Sequence, residues 1–135
     1  MTNEAGADLA DAAARLAGLA DDLGESAWSD ELRRGGITPL APAGPPTWGQ
    51  VAITGLELVE GLAAIGNWED ARHQAAFLAD FFTRMRKQLH AVAGVAFEGL
   101  ASAARAHDRD DLNEHAELIR ELFGADQGRI VEQGT

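Results

Sequence analysis

The chain has 135 residues, with 22 acidic against 11 basic side chains, a formal net charge of −11 at pH 7 and no cysteine. This excludes disulfides, thiolate metal sites and a cysteine nucleophile. It also disfavours duplex nucleic acid and anionic membrane, which need basic patches, so a charged partner is expected to be basic.

The length corresponds to one domain. Tyrosine is absent and β-branched residues are few, so an all-α fold is expected. No apolar run approaches the roughly 18 residues of a membrane span. The first residues are acidic where a secretory leader would be basic. The cytoplasm is therefore the expected compartment.

Residues 4–23 read as a first helix. Leu9, Leu16 and Leu23 recur at seven with alanines between them, and Gly24 suits a helix stop. Residues 25–35 form a connector with a short helical turn, for which Ser29 is the expected N-cap. Trp28 and Leu32, four apart, should cover the edge of the core. All four prolines fall between Pro39 and Pro46, so residues 36–47 read as a stiff crossover. Thr47 and Gln50 then fit a capping box. They open a helix that is apolar most of the way round and runs to Ile65, the pattern of a buried element.

From Trp68 to Ala106 the chain has no proline. Ala71, Ala75, Leu78, Phe82, Met85, Leu89, Val92, Ala96, Gly99, Ala103 and Ala106 follow steps of four and three without losing phase. This predicts one central helix, roughly 58 Å long if unbroken, around which antiparallel helical hairpins form a bundle. Such a helix leaves Phe77, Phe81, Val95 and Phe97 on a widened apolar face, which a homodimer would cover. Arg84, Arg86 and Lys87 form a basic cluster on it that could receive an acidic partner. A loop near Arg84–Gln88 is the alternative, and it would let two hairpins close into a monomeric four-helix bundle. Trp68 is expected to fold back on Leu62 and Ile65. Asp108 should cap a final helix, Arg109 to Phe123, before a frayed tail at residues 124–135.

The chain also repeats itself. Glu60-Gly61-Leu62-Ala63 matches Glu98-Gly99-Leu100-Ala101. Phe77-Leu78 with Phe81-Phe82 matches Leu118-Ile119 with Leu122-Phe123. Each unit is a helix, a tight turn and a second helix. The run Gly66-Asn67-Trp68-Glu69-Asp70-Ala71 resembles the turn between the two helices of a tetratricopeptide repeat. The resemblance covers two degenerate units over residues 48–123 and implies a protein–protein adaptor. The family's helix tryptophan, leucine–glycine pair and closing proline are missing here.

Chemistry-bearing constellations are sparse. Glu69 with His73 and Asp111 with His115 are carboxylate–histidine pairs four apart, a spacing able to hold a metal. Solvated helix ends explain them as well. Ser26, Ser29 and Ser102 sit in no nucleophile elbow, and no glycine loop is followed by the lysine of a phosphate cradle. Residues 1–135 therefore read as one helical domain, a non-enzymatic interaction module with no cofactor. The alternative is a helical bundle that binds a small ligand or metal.

Overall fold

The computed structural model describes residues 3–34, 36–42, 44, 46–84 and 88–124. Among these residues there are six helices: α1 (Asn3–Asp22), α2 (Ser26–Arg33), α3 (Trp48–Ala64), α4 (Trp68–Arg84), α5 (Gln88–Ala106) and α6 (Arg109–Gly124). The all-α expectation holds. Of the expected tail, residues 124–135, Gly124 is the last residue of α6 and residues 125–135 lie outside the described residues.

Three hairpins close in one way. Between α1 and α2, Gly24 N–H bonds Asp21 O at 3.1 Å and Glu25 N–H bonds Ala20 O at 2.8 Å. Between α3 and α4, Gly66 and Asn67 bond Ala63 and Leu62 at 3.0 and 2.8 Å. Between α5 and α6, His107 and Asp108 bond Ala104 and Ala103 at 3.1 and 2.9 Å. These are paired Schellman bonds, which use up carbonyls a helix end would otherwise orphan. They require a left-handed residue, and Gly24, Gly66 and His107 have φ of 77°, 81° and 57°. Asn67 and Asp108 then cap the next helix, accepting from the amides of Asp70 and Asp111 at 3.3 and 3.1 Å. The sequence repeat is thus a repeat of turn geometry.

The turn at Gly24 corrects the reading of the connector. It restarts a helix at once, so α2 begins at Ser26 after Glu25. Ser29 therefore lies inside α2 rather than capping it. It is 2% exposed, and its hydroxyl donates to Asp21 Oδ1 at 2.5 Å.

The expected long helix is corrected as well. α4 and α5 are separate helices that pack on each other more extensively than any other pair. Phe82 of α4 stacks on Phe97 of α5, with centroids 5.5 Å apart and planes at 6°. Residues 85–87 lie outside the described residues. The physical reason is burial. A continuous helix leaves Phe81 and Phe97 uncovered, whereas the hairpin removes both from water, about 1.5–3 kcal/mol for each large apolar side chain. Gly94 permits the approach, since a Cβ there would collide with Thr83 Oγ1 and lie 3.3 Å from Ala79 O.

Helices α3 to α6 close into a ring: α3 on α4, α4 on α5, α5 on α6 and α6 back on α3. This is the closed four-helix bundle. α1 lies outside it against α3. A chain of rings runs through the core. Trp28 of α2 stacks on Phe77 at 6.2 Å and meets Phe81 at 5.9 Å. Trp48 of α3 meets Phe81 and Phe82 at 5.9 and 5.8 Å. Phe82 meets Phe123 of α6 at 5.3 Å. Such pairs add about 0.5–1.5 kcal/mol each beyond area burial. Trp28 also donates its indole N–H to Gln74 Oε1 of α4 at 2.9 Å.

The proline-rich crossover is docked on α1. Leu40 N–H bonds Ala14 O at 3.0 Å, and a side chain at Gly18 would collide with the Leu40 carbonyl. The capping box forms as read, with Gln50 N–H bonding Thr47 Oγ1 at 3.1 Å and Thr47 N–H bonding Gln50 Oε1 at 2.9 Å.

Candidate functional site

The outer seam between α5 and α6 carries the most notable exposed apolar surface among the described residues. Its register is set by a close contact, since a Cβ at Gly99 would collide with the His115 ring. In an antiparallel pair, positions four and seven before Gly99 then line up with positions three and seven after His115. These are Val95 and Val92 on α5, and Leu118 and Leu122 on α6. Val95 is 67% exposed, Val92 45% and Leu118 41%. Leu122 is half-buried. Exposed carboxylates flank the line: Glu98, Glu114, Glu117 and Glu121. Of these, Glu117 accepts from Arg120 at 3.4 Å, while Arg120 also reaches across to Glu60 of α3.

The residues expected to meet a partner are divided by this arrangement. Phe81 and Phe97 are 1% and 0% exposed, so they are core residues and not a docking face. Phe77 is half-buried beneath the stacked Trp28. Val95 alone of the four stands free. The expected homodimer needs a continuous helix, and the hairpin covers within one chain Phe81 and Phe97, two of the four residues of its face. Arg84 is engaged: it donates to both Glu25 carboxylate oxygens, at 2.5 and 3.3 Å, and to Asp80 at 2.9 Å. The Glu25 contact raises its guanidinium pKa further. Arg84 thus ties the end of α4 to the start of α2. Arg86 and Lys87 lie outside the described residues.

The carboxylate–histidine pairs are present but separate. His73 Nε2 is 3.4 Å from Glu69 Oε1. Arg72 donates to that same carboxylate at 2.6 Å and holds Glu69 below the usual carboxylate range. His115 Nδ1 lies 2.8 Å from the Asp111 carbonyl, which can only accept, so Nδ1 carries the proton. Its distance to Asp111 Oδ1 is 3.5 Å. Among the described residues no three His, Asp or Glu side chains converge in a way that could hold a metal.

Trp68 has contacts beyond the fold-back on Leu62 and Ile65. Ile65 is 56% exposed, while Leu62 and Trp68 both pack against the core. The half-buried indole stacks on His107 of the second turn, at 5.1 Å and 12°, with the Arg109 guanidinium 5.2 Å from its ring centroid. Arg109 also donates to Ala63 O at 3.3 Å. The two homologous turns are thereby clamped together at one end of the bundle. His107 is a non-glycine residue at positive φ, and the stack offsets what that conformation costs.

No helix among the described residues is long and apolar enough to cross a membrane. The chain matches no family model, no curated protein and no solved structure.

Sequence reading missed the outer seam because it placed Val92 in the core. The signal was Phe97, which lies off the assumed seam. Among the described residues, the buried apolar side chains of α5 are Ala93, Ala96, Phe97, Leu100, Ala103 and Ala104. That stripe is rotated by one residue from the heptad carried over from α4, and the rotation turns Val92 and Val95 outward.

Proposed function

We propose that this chain is a non-enzymatic helical interaction module whose α5/α6 seam receives the apolar face of a basic amphipathic helix. The observation that supports this is the line of Val92, Val95 and Leu118, exposed and bordered by four glutamates. An amphipathic helix lays anchors spaced three and four apart into such a groove. The acidic border favours lysine and arginine on its flanks and speeds encounter at low salt. A second copy docked through the same face would set glutamate against glutamate, so a basic partner fits better than a homodimer. This reading keeps the cytoplasm as the compartment, on the sequence grounds given above.

The test uses two synthetic helices, one of leucine and lysine and one of leucine and glutamate, titrated calorimetrically. The lysine peptide should bind, more weakly as salt rises, and the glutamate peptide should not. Val95→Glu with Leu118→Glu should weaken binding by tenfold or more, because each anchor contributes about 1.5 kcal/mol or more on burial. Both positions are exposed, so the melting curve should not move. Undiminished binding by the double variant would reduce the attraction to net charge and overturn the proposal.

A further inference from the structure

Between α1, α2, α3 and α4, away from the α5/α6 seam, the packing leaves a cleft of about 500 Å³. That is the size range of small-molecule sites, which combine apolar walls with a few fixed polar groups. The walls here are Leu9, Leu32, Ile37, Leu58 and Leu62. The one buried polar side chain in the lining is Gln74, 5% exposed.

The orientation of Gln74 follows from chemistry. An indole nitrogen only donates, and Trp28 Nε1 lies 2.9 Å from the Gln74 oxygen. The carboxamide oxygen must therefore face Trp28. Its NH2 group is turned from that bond, finds no side-chain or backbone acceptor among the described residues and is not fully buried, so it is left to solvent. A donor met only by water at an apolar cleft can exchange that water for an acceptor on a ligand. The lining brings an apolar chamber and this available donor together.

The rim sets the charge. Arg34 pairs with Glu31 at 3.0 Å, and Asp70 accepts from Asn67 at 2.8 Å. Two carboxylates against one guanidinium disfavour an anionic head group on the ligand.

We infer that the cleft binds a small, neutral, largely hydrocarbon molecule carrying a carbonyl acceptor, as in a ketone, ester or amide. The carbonyl oxygen takes an N–H of Gln74, and the hydrocarbon part lies on the leucine walls. Trp28 acts as a positioning residue, holding the carboxamide so that its donor face meets the cleft.

The test compares 4-phenyl-2-butanone with butylbenzene, which has similar bulk but no acceptor. Each is titrated into the 15N-labelled full chain and followed by amide correlation spectra. The Gln74 side-chain NH2 pair is identified by its loss in Gln74→Met. With the ketone, that pair and the backbone amides of Ile37 and Leu62 should shift together and saturate. Butylbenzene should bind roughly tenfold more weakly or worse, since it leaves the donor unpaired. Ala10→Trp fills the cleft from an exposed lining position and should abolish ketone binding without changing the melting temperature. An unmoved Gln74 pair, equal affinity for both probes, or ketone binding that survives Ala10→Trp would each overturn the inference.

Discussion

The bond between Trp28 and Gln74 joins a peripheral helix to the bundle, and a double-mutant cycle can measure it. Trp28 is 2% exposed, stacks flat on Phe77 with planes at 4°, and donates to Gln74 at 2.9 Å. Trp28→Phe keeps an aromatic ring but removes the fused ring and the N–H. The smaller ring should cost about 1–2 kcal/mol, a part of the 3–5 kcal/mol of full truncation. Leaving the buried Gln74 oxygen without its donor adds about 1–3 kcal/mol. Gln74→Leu makes the converse fault, a buried indole N–H without an acceptor, at a similar cost of about 1–3 kcal/mol. The double variant orphans neither group. It should therefore be less destabilised than the sum of the single variants by at least about 2 kcal/mol, the two orphaning costs it avoids. Urea unfolding followed by far-ultraviolet circular dichroism gives each free energy, with constant slope as the check that the transition stays two-state. Additivity within roughly 0.3–0.5 kcal/mol would mean the bond contributes nothing of its own, and the docking of α2 would then rest on ring packing alone.

Two further outcomes follow from the geometry. Gly94→Val should cost about 1–3 kcal/mol by overpacking against Thr83 and Ala79, whereas Gly44→Ala, with nothing within 4 Å of its new Cβ, should be near neutral; thermal melts compare them, and an equal effect would refute the close approach of α4 and α5. Asp21 is held below its ordinary value of 3.8, first by the Ser29 hydroxyl and then by Arg33. A depressed carboxylate stabilises the fold above that value and loses the contribution as pH falls through its folded-state pKa. Because Asp21 is 40% exposed, Asp21→Asn should cost no more than about 1 kcal/mol at neutral pH, with the gap closing as the pH is lowered past 3.8. A gap that persists in acid would assign the effect to something other than ionisation.

Local chemistry was the readable part of this chain. The Thr47–Gln50 capping box, the Asn67 and Asp108 caps and the Asp80–Arg84 pair all follow from short-range pairings that a sequence states directly. The reversal between α4 and α5 was not readable in the same way. No glycine, proline, asparagine or aspartate marks it, and an apolar heptad runs through it unbroken. A heptad records which side of a helix is apolar, but not whether the partner is another chain or the same chain returning. The decisive energy is tertiary, the burial of Phe81 and Phe97. The third hairpin was hidden for another reason. α2 has only eight residues, and the α1 stripe is mostly alanine, so neither resembles the longer units.

The same contrast bears on the outer seam. α5 meets its core obligations with Ala93, Ala96, Phe97, Leu100, Ala103 and Ala104, all at most 1% exposed. Alanine is the best helix former, and its small side chain lets neighbouring helices come close. Valine is a poorer helix former, because branching at Cβ restricts its rotamers against the preceding turn. Folding alone would therefore be served better by polar helix formers at the outward positions of α5. Val92 and Val95 occupy two of those positions in line with Leu118, and the bundle gains little burial from them. The proposed helix-binding role would account for residues that weaken a helix slightly and cover little of its core. On that proposal the seam serves binding rather than folding, and the Val95 and Leu118 substitutions separate the two.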